Sequence, residues 1–383
     1  VKILRDKRFG LIIMGLLFLT AVVVGIKLND HPYTRAKEDT TKIKKAHQKK
    51  YKVSADNLPK ALGVVGERDD PTYADVTNML NQANYQGSIL IVKNGKPVWQ
   101  QGFGKMNENE SFEPDAPIAL ASITKNVTAY LLMKALTEKG LTLDTPLSTF
   151  YPKLPNANQT TLRQLIRMDA PYKGAELSDQ DLAESQYIKY YLKHVKYVPG
   201  NKNWSYNATD YQILTGVLTK LTGKSYNQLV TENLTEKYGV LNVDTFETLK
   251  NRPTAKTQDG KWKKFNQQRF NREVGTGNLF MSPWNMYRLL HDEIQGKNLT
   301  ADEFKEMTLP RAEKPFGYSA GMYRRPFGYQ LHGALQSFEP SVLLDSEGEN
   351  GVVLFSNQSL GKMDDKFGKP IFDIVMKQVQ EGV

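Results

Sequence analysis

The sequence predicts an α/β (α+β) fold: one antiparallel sheet flanked by helices and completed by both ends of the folded body. Three observations predict it. The stretch SILIVKNGKPVWQQGFG, from Ser88, places Asn94-Gly95 between two strand-like runs, the strongest short hairpin signal. After about residue 316 the chain turns strand-like again, and GVVLFSN (351–357) is the clearest strand. Between them, residues 141–300 read mostly as helices and loops, so they form a helical insertion between two halves of one sheet.

The elements follow in order. Asp70-Pro71 opens a helix with Val76, Met79, Leu80 and Ala83 on one face, and Gly87 is expected to end it. After the hairpin, a long helix runs from about Ser122 to Lys139 and stops at Gly140. Further helices are expected near 161–168, 178–194, 209–222, 225–238 and 283–295. A final helix covers about Phe367 to Gln380.

Ahead of this body, Phe9–Ile26 is an uncharged apolar run, near the lower length limit for a membrane-spanning helix. Lys2, Arg5, Lys7 and Arg8 precede it, which keeps residues 1–8 cytoplasmic and exports the body. No A-x-A cleavage pattern follows, so the run reads as an uncleaved single-pass anchor rather than a signal peptide. Residues 27–60 form a polar, Lys-rich stalk, and residues 61–383 the folded domain. The stalk reads as a solvated spacer, with attraction to anionic lipid or a wall polyanion as the functional alternative.

Charge and composition exclude several classes. The net charge is +10, but residues 1–60 hold 14 Lys/Arg against 5 Asp/Glu. The remaining 323 residues hold 37 basic and 36 acidic side chains, so the body is nearly neutral. A nucleic-acid partner calls for a basic footprint on the folded domain, so no nucleic acid is expected. There is no cysteine, which removes disulfides, thiolate metal sites and a cysteine nucleophile. The five histidines form no HExxH or other close pair, so neither a metal nor another cofactor is expected.

Ser122-Ile123-Thr124-Lys125 is an SxxK match on the long helix. Three residues apart on a helix, the two side chains share a face. A serine hydroxyl is a weak nucleophile and needs a neighbouring base, which an unprotonated lysine can supply. Lys125 is the single charge on a stripe with Ala129, Leu132 and Leu136, and a lone buried amine needs a reason. Lys134, on another face with Asn126, Tyr130 and Thr137, reads as solvated. At the helix start, the N–H of Ser122 is placed to help bind an oxyanion. Two decoys exist. Ser359-Leu360-Gly361-Lys362 also fits SxxK but lies in a loop with an internal glycine. Gly317-Tyr318-Ser319-Ala320-Gly321 fits GxSxG, but MYRRP follows where a nucleophile elbow needs a helix.

Several stretches, in order over about residues 70–380, resemble the serine β-lactamase and penicillin-binding protein superfamily, in the branch of class C β-lactamases and D-alanyl-D-alanine carboxypeptidases. They are GSILIVKNGKPVWQQGFG, IALASITKNVTAYLLMKALTEKGLTLDTPLSTFYP, VPGNKNWSYNATDYQILTGVLTKLTGKSY, GTGNLFMSP and LHGALQSFEPSVLLDSEGENGVVLFSN. The resemblance implies a β-lactamase-like sheet, Ser122 as the acylated nucleophile, Lys125 as its base partner and Tyr206 as a proton relay. The second motif, usually Tyr-Ser-Asn, reads Tyr206-Asn207-Ala208, with Asn207 implied in substrate binding; Ser205-Tyr206-Asn207 is the alternative register. The third motif looks like His332-Gly333-Ala334, with the N–H of Leu335 implied as second oxyanion donor. Where relatives often read Thr-His-Thr-Ser-Gly, residues 167–171 read Arg-Met-Asp-Ala-Pro.

These departures make the chain most similar to the membrane-anchored teichoic acid D-alanyl esterases of Gram-positive envelopes. The implied function is removal of D-alanyl esters from (lipo)teichoic acid outside the cell. Activity of the D,D-carboxypeptidase or β-lactamase type on peptidoglycan stem peptides is the first alternative, and another small-ester hydrolase a lesser one. A non-catalytic wall-binding protein with a degenerate site is the rival from another class. The sequence leaves the oligomeric state open.

Overall fold

The computed structural model describes Val53 and residues 58–174, 177–199, 204–312, 314 and 316–382. The apolar run 9–26 and nearly all of the stalk lie outside them. Among the described residues, no helix is long and apolar enough to cross a membrane.

Eleven strands are described: β1 (Gly87–Lys93), β2 (Lys96–Phe103), β3 (Ile118–Ala119), β4 (Tyr172–Lys173), β5 (Lys196–Tyr197), β6 (Phe280–Met281), β7 (Tyr318–Ser319), β8 (Met322–Arg325), β9 (Gly328–His332), β10 (Glu339–Asp345) and β11 (Gly351–Ser356). Seven of them form one sheet in the order β2-β1-β11-β10-β9-β8-β7, with every pair antiparallel. The opening hairpin therefore pairs with the last strand, with Leu90 opposite Val353 and Gly87 opposite Ser356. The sheet is closed by both ends of the body, as the distribution of strand-like segments predicts.

Both faces of the sheet are covered, which is why its central strands read as unbroken apolar runs. The alternation survives inside those runs. Ile89, Ile91, Leu343, Val352 and Leu354 face one core, beneath α1 (Ala74–Gln82) and α5 (Lys369–Glu381). Leu90, Val92, Val342, Leu344, Val353 and Phe355 face the other and larger core, which holds α2 (Thr124–Glu138), α3 (Ala208–Thr222) and α4 (Pro283–Ile294).

Local details differ from expectation where a turn intervenes. The first helix ends at Gln82 rather than near Gly87, because Asn84 takes a left-handed conformation (φ +50°) and releases the chain; Gly87 begins β1. Gly140 (φ +65°) terminates α2 as expected. Nearly all of α2 is buried, including Asn126 and Tyr130, so its second face is not solvated. Lys134 is half-buried there and donates to Asn233 Oδ1 at 2.8 Å.

Candidate active site

The site begins where the chain enters α2. β3 pairs with β6, and Leu120 N–H donates to Leu279 O at 2.8 Å, which pins the approach. Ala121 then takes φ +47°, a left-handed conformation that strains an alanine by about 1–3 kcal/mol. A 3-10 turn, Ala121–Ile123, leads into the helix. Ser122 thus stands at a helix start, where backbone N–H groups have no intrahelical acceptor.

Lys125 lies one turn on and is 2 % exposed. Its Nζ donates to Thr276 O at 2.8 Å and to Ser122 Oγ at 3.2 Å. Neither partner is a carboxylate, so the amine is held by dipoles alone. The segment supplying that carbonyl is clamped. Thr128 Oγ1 donates to Gly275 O at 2.7 Å, and Gly275 (φ +69°) packs so tightly on the Thr215 side chain that a Cβ would overlap it.

Above this pair lies a cavity of about 290 Å³, walled by Ser122, Tyr206, Tyr318, Gly321, Tyr323, His332, Gly333 and Ala334. Tyr206 is 45 % exposed, and its ring stands edge-on to Tyr318 with centroids 5.8 Å apart. The Lys125 Nζ sits 5.4 Å from the centroid of the same ring. Ser205 does not line the cavity, so Tyr206 is the member of the SYN/YNA stretch that reaches it. Gly333 admits close approach: a Cβ there would lie 2.9 Å from Ser122 N and 2.5 Å from Leu120 O. Gly321 does the same from the other side, where a Cβ would strike the backbone of Lys125 and Asn126. The GxSxG stretch is thus a β-hairpin turn, with Ala320 and Gly321 both at positive φ. Ser319 is buried and donates to Met307 O at 2.8 Å, which leaves it no part as a nucleophile.

His332 places Nε2 3.1 Å from Glu339 Oε1. The Glu339 carboxylate is buried and accepts from Ser359 Oγ (3.0 Å) and the N–H groups of Leu360 (2.6 Å), Gly361 (3.2 Å) and Met363 (3.3 Å). The second SxxK stretch is therefore a loop that wraps a carboxylate. Burial pushes the His332 pKa down, but the Glu339 hydrogen bond and the nearby Asp364 and Glu339 charges outweigh it and leave the value raised above 6.5. Burial raises the Glu339 pKa, yet His332 and the surrounding donors bring it down to about 2.

This pairing carries a pH prediction. The His332 contribution to stability is full below its unfolded pKa near 6.5 and fades as pH rises through the raised folded value. The Glu339 contribution is full above its ordinary 4.5 and fades as pH falls towards 2. Together they stabilise most between about pH 4.5 and 6.5. Thermal melts across pH 4–8 should show Glu339→Gln losing most stability in that window. A uniform loss at every pH would contradict the pairing.

The beta-lactamase family profile matches residues 76–370. The chain belongs to the beta-lactamase family. It is 25 % identical over 303 residues to a putative penicillin-binding protein, PbpX, of Bacillus subtilis, covering 76 % of each chain. It is 25 % identical over 299 residues to a teichoic acid D-alanine hydrolase of Staphylococcus aureus, covering 72 % of this chain and 71 % of that one. Among solved structures, FmtA from Staphylococcus aureus superposes with a TM-score of 0.72 at 23 % identity, over 84 % of this chain and 93 % of that one. A D-amino acid amidase from Ochrobactrum anthropi does so with a TM-score of 0.64 at 17 % identity, over 81 % and 99 %. The last two likenesses concern the fold.

Two residues carried over from the beta-lactamase family pattern are engaged elsewhere. Asn207 caps α3: its Oδ1 accepts from Thr209 N at 3.0 Å, and its Nδ2 donates to Tyr172 O at 2.7 Å. Both ends of its amide are in use within the fold, and it is not among the residues that wall the cavity. Asn207→Ala should therefore destabilise the fold by about 0.5–2 kcal/mol, as loss of a helix cap does, while KM changes little. A large KM increase without loss of stability would restore the binding role. Leu335 is the second. Its N–H donates to Phe338 O at 3.0 Å across a tight turn, with Gln336 and Ser337 both at positive φ, so that donor is consumed.

The altered segment at 167–171 braces the second motif instead of lining the cavity. Arg167 O accepts from Trp204 Nε1 at 2.9 Å, and Met168 Sδ from Asn207 N at 3.2 Å. The sequence reading missed Thr276, Glu339, Tyr318 and Tyr323. Thr276 acts through a carbonyl, which no side-chain pattern marks. Glu339 had a usable signal: an acidic residue opening an otherwise apolar strand, seven residues after a histidine.

Proposed function

We propose that this beta-lactamase-family chain is an extracytoplasmic serine hydrolase, anchored by residues 9–26, that removes D-alanyl esters from a teichoic-acid-type wall polymer. The observation that carries it is the Ser122 Oγ–Lys125 Nζ contact at 3.2 Å on the floor of an open cavity. Acting as base, the Lys125 amine accepts the hydroxyl proton along that contact, and Oγ attacks the ester carbonyl carbon. The developing oxyanion takes the free N–H of Ser122 as one donor. Ala334 supplies the second in this reading. Gly333 N–H and Leu335 N–H both turn towards the 338–340 segment, so the N–H between them faces the opposite edge, which β8 leaves open beyond Gln330. Collapse breaks the bond to the polyol oxygen, which takes a proton from Lys125 directly or through the Tyr206 hydroxyl. Water then attacks the D-alanyl–Ser122 ester and releases D-alanine.

Two points favour an ester over a peptide ending in D-alanine. A D-alanyl ester has no free carboxylate, and the third-motif side chain, His332, is already hydrogen-bonded to Glu339. An alkoxide leaving group also needs less protonation help than an amine, which suits a second motif reduced to Tyr206. The teichoic acid D-alanine hydrolase at 25 % identity is consistent with the same substrate. The test is D-alanine release by the full chain from D-alanylated lipoteichoic acid, beside a pentapeptide ending in D-alanyl-D-alanine. Faster release from the polymer supports the ester reading; faster release from the peptide replaces it with a carboxypeptidase.

A further inference from the structure

The net charge of the folded body conceals one strongly basic segment. Residues 250–272 hold eight Lys/Arg and a single Asp, although residues 61–383 as a whole carry only +1. Four of its eight cations, Lys250, Arg252, Lys263 and Lys264, are the charged lining of a second cavity of about 360 Å³, which has no acidic side chain among its described lining residues. An adjoining cavity shares Lys250, Lys263 and Lys264 and adds Glu108 and Glu110. One cation of the first cavity stands on its apolar floor. The Arg252 guanidinium lies 5.3 Å over the Phe265 ring, and Phe265 stacks on Phe270 at 5.2 Å. Four positive charges converging on one concave wall repel one another and raise the local concentration of polyanions.

The position ties this cavity to Ser122. Gln336 and Phe338 line it, and they belong to the tight turn that directly follows the third motif. Ala334 lines the Ser122 cavity. One residue, Leu335, separates the linings, which limits the Cα distance from Ala334 to Gln336 to about 7 Å. Lys263 Nζ reaches across to Ser337 Oγ at 3.1 Å, so the same turn joins the basic wall to the catalytic strand. A polymer lying along the turn presents its ester to Ser122 and its neighbouring backbone units to the lysines.

We propose that this basic cavity is a subsite for the anionic phosphodiester backbone of the polymer whose ester Ser122 cleaves. The inference rests on the ester-hydrolase reading for its catalytic half, but binding is measurable without turnover. It requires a repeating phosphodiester, since one phosphate would satisfy only part of the wall.

The first experiment compares the full chain with the triple variant Lys250→Gln/Lys263→Gln/Lys264→Gln on two substrates, D-alanylated poly(glycerol phosphate) and the D-alanyl ester of glycerol. At low salt, the ratio of kcat/KM for polymer to that for the small ester should fall at least tenfold in the variant, through KM. The wild-type preference should fade as salt rises, whereas the variant should respond little. A ratio unchanged within twofold would overturn the subsite. The second experiment titrates unesterified poly(glycerol phosphate) into Ser122→Ala, with and without the three lysine changes. Binding weakened tenfold or more by the lysine changes supports the subsite even if no ester is hydrolysed, an outcome that would sink the ester-hydrolase reading alone. Equal binding by both chains removes the subsite. So does inorganic phosphate that competes as well per phosphorus as the polymer. Lys264→Gln alone, at an exposed position, gives the same comparison if the triple variant melts early.

Discussion

Ser122→Ala is expected to reduce D-alanine release by about 10³- to 10⁶-fold in kcat, with stability changed by no more than about 0.5 kcal/mol. The size follows from its position. Ser122 is the hydroxyl at the foot of the cavity with an amine in hydrogen-bond reach, and the proposed chemistry requires a covalent intermediate on that oxygen. The small stability effect follows from its partial exposure and from the backbone, which holds the turn without the hydroxyl. Ile123 N–H bonds to Leu120 O at 3.0 Å, and Leu120 N–H to Leu279 O at 2.8 Å. An acid-quenched reaction should show a D-alanyl adduct on the peptide containing Ser122, absent from the variant. Equal release by both chains would assign the activity to another group or a contaminant. Polymer binding by both, with release by neither, would convert the protein into a wall binder that keeps only the fold.

Much of the fold was legible because the sheet-forming segments carry their signals locally. Asn94-Gly95 fixes a two-residue hairpin whatever surrounds it, and the apolar runs 88–93 and 351–356 have few alternatives to a doubly covered strand. That those two runs pair with each other is non-local; it followed from placing strands at both ends and helices between. Boundaries were less legible. The first helix stops at Gln82 because Asn84 adopts a left-handed turn; asparagine tolerates that conformation well, but Asn81 and Asn78 offer the same residue about one and two turns earlier. The long helix showed one apolar stripe, but it sits at the centre of the larger core and is buried nearly all round. An amphipathic pattern reports one packed face and is silent on polar groups satisfied inside, such as Thr128, which lies 2.8 Å from the Tyr226 hydroxyl.

The site divides along the same line. Side chains at fixed helical spacing, those of Ser122 and Lys125, are adjacent as the SxxK match requires. Residues whose part depends on which way the backbone turns were not legible. Asn207 and Leu335 have the right positions in a motif, yet one is spent on a helix cap and the other on a tight turn. Both decoys have structural uses instead. Gly321 lets a hairpin touch α2, and the 359–363 loop supplies donors to Glu339. Short motifs built on glycine and serine mark close approach and turns at least as often as chemistry.

Lys125→Met is expected to abolish activity to nearly the same extent as Ser122→Ala, by about 10³-fold or more, without lowering the melting temperature. The activity loss follows from removing the group that accepts the Ser122 proton in the proposed mechanism: the other partner of that amine, Thr276 O, is a carbonyl in a clamped segment and cannot replace it. The stability half sets two effects against each other. Holding an amine that is 2 % exposed carries a desolvation cost in a core lined by Ala129 and Leu132. Against that, methionine leaves the Thr276 carbonyl without its donor, a penalty of about 1–3 kcal/mol. Methionine matches the length of the lysine stem and fills the stripe, so no cavity term is added. Relief of desolvation offsets the orphaned carbonyl, and the variant should melt at or above the wild type. A site whose chemistry requires a buried amine holds it at the expense of stability. Thermal melts of both chains at one pH, beside D-alanine release, decide the matter. A variant that melts well below the wild type would mean that Lys125 is a structural cation holding the 275–277 segment, and the base would have to be sought in Tyr206.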